Sequence, residues 1–161
     1  MIFLLKIALI LGLALIFLQD LRNREVWWFL FPLVAFLMGG IHLLSSDFEV
    51  TLSHFLINSI VITIIVAVLG LYTRFIHRKT FLNVSFGLGD LLFFYAFALG
   101  FPTVTFIILF VASILVALLW SLVYLNRNSK GTIPLAGLMS SFLILVYASS
   151  FFMSTTTLFI I

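Results

Sequence analysis

The chain has no cysteine, which excludes structural disulfides, thiolate metal sites, cysteine nucleophiles and a lipoprotein anchor together. Charge is scarce as well: only 8% of the 161 residues are charged, against 65% apolar. A soluble domain carries roughly a quarter of its residues as charges, so an ordinary water-facing surface cannot be built from this composition. The three histidines, His42, His54 and His77, stand far apart and give metal binding little support, so no metal and no organic cofactor is expected. Eight Lys and Arg against five Asp and Glu leave a formal net charge of +3. That excess falls in short clusters between apolar runs, which suits membrane topology better than a nucleic-acid partner. No internal repeat or low-complexity tract stands out.

What is abundant is apolar sequence in lengths that fit a bilayer, about 20 residues per spanning helix. The first run, Ile2 to Leu18, is broken only by Lys6, whose stem is long enough to carry its ammonium toward the nearer interface. Bulky Leu15, Ile16, Phe17 and Leu18 before Asp20 offer no small-x-small cleavage site, so the run is expected to be retained. Further runs extend over Val26 to Leu44, Phe55 to Tyr72, Phe81 to Phe101, Thr103 to Leu125 and Pro134 to about Met153. Gly100, Phe101 and Pro102 separate two of them and predict a tight hairpin. The expected fold is therefore all-α, a polytopic bundle of about six transmembrane helices forming a single domain over residues 1–161, with the lipid bilayer as its first partner.

Orientation follows from the basic residues, which favour cytoplasmic loops. Arg22 and Arg24 fall in the first loop, Arg74, Arg78 and Lys79 in the third, Arg127 and Lys130 in the fifth, while the even loops and the tail after Met153 have none. This predicts a cytoplasmic-membrane protein with both termini outside. His42 and His54 then flank an outer loop and His77 an inner one, so all three are expected at interfaces. Gly39, Gly40, Ser59, Thr63, Ser113, Ser140 and Ser141 read as helix-packing positions.

Ionisable groups within a bilayer cost several kcal/mol, so an acid inside an apolar run is a functional candidate. Asp90, in Gly87-Leu88-Gly89-Asp90, is such an acid. It could be a helix N-cap, but a span starting there has only half a bilayer crossing before Gly100, and Asp90 is therefore expected inside the protein at some depth. Asp20 ends the first run and could pair with Arg24 one helical turn along. Both acids approach the cytoplasmic side. Two carboxyls sharing a proton and holding one water are the requirement of an aspartic dyad, one deprotonating the water and the other, kept neutral, polarising the scissile carbonyl.

The stretch Asp20-Leu-Arg-Asn-Arg-Glu-Val26 after a first span, with Gly87-Leu-Gly-Asp90 opening a later one, resembles the type IV prepilin peptidases and the archaeal preflagellin peptidases, polytopic aspartic peptidases of the GxGD kind. The resemblance covers nearly the whole chain in order and spacing, and takes in Ile133-Pro134 at the last span. It implies catalytic roles for Asp20 and Asp90, with Gly87 and Gly89 as motif support. It further implies pilin-like precursors as partners, each with a short basic leader joined to an apolar helix, cut after a small residue such as Gly. The substrate-binding residues and the oligomeric state stay open. The chain departs from the family pattern at Trp27 and Trp28, where many members have Pro followed by Asn or Asp, and at Leu92, where many have a lysine. The Trp pair suits interfacial anchoring, and Leu92 removes a cation from beside the dyad. Without the cysteine-containing insert of bifunctional members, cleavage is expected and methylation is not. Two alternatives stand beside this reading: a presenilin or signal-peptide-peptidase-like protease, whose Pro-Ala-Leu motif Pro134-Leu135-Ala136 imitates by composition, and a non-catalytic scaffold or small transporter.

Overall fold

The computed structural model describes residues 1–76, 87–125 and 134–151, and among these it forms six helices and no strand. They are α1 (Ile2–Asn23), α2 (Leu30–Ser45), α3 (Phe48–Ile76), α4 (Leu88–Leu99), α5 (Thr103–Leu125) and α6 (Leu135–Ser149). Helices α1, α3 and α5 are long and apolar enough to cross a membrane, whereas α2, α4 and α6 are shorter apolar helices. The surface agrees: Val123 is 77% exposed and Phe36 76%, while Lys6, His42 and Asn58 are buried. Apolar residues outside and polar ones inside, on long apolar helices, make this a membrane protein of the all-α class.

Antiparallel packing brings the C-terminal end of α1, where Asp20 lies, to the N-terminal end of α6, and Lys6 near the start of α1 to Ser150 past the end of α6. Helix α2 lies against α1 and α4, and α5 against α6. Close approach of α1 and α2 uses Gly12, where an added Cβ would sit 3.2 Å from Val34 Cγ2. Several boundaries differ from the sequence expectation, and α1 continues to Asn23 rather than ending at Leu18, so that Asp20 and Arg22 stand in the last turn of a helix and not in the first loop. Helix α2 starts at Leu30 rather than Val26, after a turn in which the Leu30 N–H donates to the Trp27 carbonyl at 3.0 Å. Pro32 then falls in the first turn, where its missing N–H costs no helical bond. Helix α3 starts at Phe48 rather than Phe55 and runs 29 residues, about 43 Å at 1.5 Å per residue.

The largest difference is α4, which has 12 residues in place of the full crossing expected over Phe81 to Phe101. Residues 81–86 of that run lie outside the described residues. A helix this short does not stand alone, and the bundle stabilises it in two ways. Carbonyls at its C-terminal end and in the turn after it are taken by side chains of other helices: Asn58 Nδ2 donates to the Ala98 carbonyl of α4 and the Phe101 carbonyl of the turn at 3.0 Å each, and His42 Nδ1 meets the Leu99 carbonyl at 3.1 Å. Its apolar face joins a ring cluster with centroids 4.9 to 5.8 Å apart, Phe94 on Phe110 and Phe97 on Phe101, Phe106 and Phe110. The Gly100–Pro102 hairpin forms as expected, α5 beginning at Thr103.

Two side chains expected at interfaces are inside the bundle. Lys6 is 3% exposed, donating to the Ser150 hydroxyl at 2.7 Å and carbonyl at 3.2 Å. The end of α6 presents carbonyls without helical partners, which suits a cation there. His42 is buried against α4, its ring stacked on His54 at 5.7 Å. His77, Arg78, Lys79, Arg127, Lys130 and Ile133 lie outside the described residues.

Candidate active site

Four helix ends meet at one end of the bundle: the C-terminus of α1 and the N-termini of α2, α4 and α6. The first N–H groups of a helix lack partners within it and carry its positive dipole end, so this convergence favours anionic groups. Helix α6 shows the consequence. Its N-cap is Pro134, which has no N–H to offer, and the amides of its second and third residues point at the two aspartates. The Ala136 N–H donates to Asp90 Oδ1 at 2.9 Å, and the Gly137 N–H donates to Asp20 Oδ2 at 2.6 Å. Adjacent amides of one helix thus hold the carboxyls of Asp20 and Asp90 side by side.

The glycines have a steric role here, and none among the described residues has positive φ. A Cβ at Gly137 would lie 2.9 Å from Asp20 Cβ and 3.0 Å from its Oδ2, so the short amide contact depends on a bare Cα. A Cβ at Gly89 would lie 3.1 Å from Phe31 Cζ, and one at Gly87 would lie 3.0 Å from Asp90 Oδ2. Gly87 is the N-cap of α4 and Asp90 stands in its first turn, its carboxyl beside the Gly87 N–H, as an acid at the third helical position does in a capping box. The expected span over Phe81 to Phe101 gives way to a helix in whose first turn Asp90 caps, while Asp90 still lies within the bundle, partly buried. The capping geometry and the approach to Asp20 belong to the same side chain, because the short α4 puts its first turn inside the bundle.

Between these ends lies a cavity of about 420 Å³, walled by Asp20, Asp90, Arg24, Glu25, Phe31 and the Gly87–Gly89 turn among others. That volume is in the range of small-ligand sites and accommodates a short stretch of extended peptide. Leu92 packs against the apolar core, and Arg24 is the basic residue that lines the cavity among the described residues. Trp27 and Trp28 are 61% and 75% exposed outside it, as anchoring side chains would be. Among the described residues no three His, Asp or Glu side chains cluster as metal ligands.

Sequence reasoning missed the amides of Ala136 and Gly137, since a backbone donor has no residue type to read; Pro134 just before them was the available signal. It also left Phe31 and Glu25 unassigned. The fold and site together define a polytopic all-α membrane protein with two carboxyls converging on one cavity. Comparison of the chain with protein-family models, curated proteins and solved structures found no match in any of the three.

Proposed function

We propose that this protein is a membrane aspartic endopeptidase that removes the leader from pilin-like precursors at the cytoplasmic face of the cell membrane, with Asp20 and Asp90 as the catalytic dyad. The observation that carries the reading is the pairing of two sequence-distant carboxyls on neighbouring amides beside one cavity. Such a pair keeps one proton between two like groups. The ionised carboxylate takes a proton from a water as that water's oxygen attacks the scissile carbonyl carbon, and the neutral carboxyl gives its proton to the carbonyl oxygen. Collapse of the tetrahedral diol breaks the C–N bond, the amine nitrogen taking up the proton drawn from water while one diol hydroxyl returns its proton to the second carboxylate, which restores the dyad. A substrate whose apolar helix lies beside the bundle brings its basic leader and the junction to the cavity, lowering the entropy cost of attack. Both termini are outside in this reading.

One observation also favours a non-catalytic reading: the two carboxylates serve as caps for α6. Asn in place of Asp separates the two. Asn keeps an oxygen that accepts from the amide but has no proton chemistry, so Asp20→Asn and Asp90→Asn should leave thermal stability in detergent near the parent's. Each should lower cleavage of a co-expressed pilin-like precursor at least about 10³-fold, the double variant falling no further than the singles. The new amino terminus is located by mass spectrometry. Retained cleavage in either variant removes that residue from the dyad; a cut deep within the apolar helix favours the presenilin-like alternative; a folded protein that cuts no candidate precursor favours the scaffold.

A further inference from the structure

Arg24 adopts φ 60° and ψ 17°, the left-handed region, and among the described residues it is the sole non-glycine with positive φ. It closes α1, its N–H donating to the Asp20 carbonyl at 3.2 Å. Glycine is the usual residue at that position because it has no Cβ to strain, so a side chain kept there needs a physical reason. The reason lies in where the turn leaves it. The chain reverses toward α2 while Arg24, one helical turn past Asp20 and bonded to its carbonyl, remains in the wall of the cavity that Asp20 and Asp90 share. Each carboxyl is held by one amide of α6, and Asp90 has the Gly87 amide beside it as well. The groups facing the dyad among the described residues are Glu25, exposed at the rim, the Gly87 amide beside Asp90, and apolar Phe31 from α2.

Resting on the peptidase reading, we propose that Arg24 is a positioning residue for the dyad: its guanidinium holds Asp20 as the ionised partner that activates water, leaving Asp90 to carry the proton toward the scissile carbonyl. An opposite charge close by favours the charged form of a carboxyl, and Arg24 enters the cavity wall from the end of α1, the helix that also carries Asp20.

The test uses Arg24→Gly, Arg24→Asn and Arg24→Lys in the full chain in phospholipid nanodiscs. Glycine and asparagine suit the left-handed turn, so both variants should melt no lower than the parent, which separates loss of charge from loss of fold. Infrared titration follows the protonated-carboxyl band, with Asp20→Asn and Asp90→Asn assigning it. The Asp20 band should titrate about one pH unit or more higher in Arg24→Gly and Arg24→Asn, and return toward the parent in Arg24→Lys. With a cleavable precursor, kcat should fall about tenfold or more at neutral pH with KM little changed, the acidic limb of the profile moving to higher pH. An Asp20 band that does not move, or a band that moves at Asp90 instead, overturns the proposal. Failure of the parent to cleave any precursor removes the peptidase reading, while the infrared titration still decides whether Arg24 sets the charge of Asp20.

Discussion

At the scale of single residues, the site depends on atoms that are not there. Gly137 brings an amide to 2.6 Å from Asp20 because no Cβ intervenes, and one added carbon would fall 2.9 Å from Asp20 Cβ. The clash is with the near end of a side chain on a packed helix, which has little freedom to give way. Gly137→Ala should therefore push α1 and α6 apart locally, costing about 1–3 kcal/mol of stability, and should lower precursor cleavage on the order of 100-fold by displacing Asp20. Cleavage assays and thermal unfolding in detergent measure the two effects. Gly40, where an added Cβ meets nothing within 4 Å, is the control: Gly40→Ala should leave both unchanged, and a loss there equal to that at Gly137 would refute the steric account.

At the scale of elements, α4 is the unusual piece, a 12-residue helix inside an apolar bundle. In a bilayer an unpaired carbonyl has no water to turn to, so a helix that stops short needs donors supplied from elsewhere. Asn58 supplies two of these bonds from α3 and His42 faces a third carbonyl from α2. Asn58→Leu keeps approximate volume and removes both bonds. Leaving buried acceptors unpaired costs about 1–3 kcal/mol each in soluble proteins, and polar contacts between membrane helices average about 0.6 kcal/mol, so a loss of about 1–3 kcal/mol in total is expected. Because α4 holds Asp90 in its first turn, cleavage should fall with it. A denaturation midpoint equal to the parent's would show that the α4 end is satisfied by other means.

For the whole molecule, the two aspartates reach one end because α1 descends to it while α4 and α6 both begin there. In the proposed topology, the basic residues of alternate loops orient that end toward the cytoplasm. Reporter fusions should therefore give a cytoplasmic signal between Arg74 and Lys79 and an extracytoplasmic signal after Met153. The reverse pattern would carry the cavity to the outer face, away from the basic leader of a precursor.

Length and composition determined the class by themselves: 65% apolar residues in runs near 20 cannot be folded in water. The Gly100–Pro102 turn, the full extent of α5, and the choice of Asp20 and Asp90 were equally legible, because proline, glycine and a charge in an apolar run are local signals. The tertiary structure decided what depends on a partner helix. Lys6 and His42 read as interfacial until α6 and α4 offered them carbonyls inside the bundle. The half-length of α4 looked prohibitive until Asn58 and His42 covered its end. The pairing of the aspartates depends on two backbone N–H groups that every non-proline residue owns, and only the fold selects which ones meet a carboxyl, since a hydrogen bond is specified by position and direction and not by residue type.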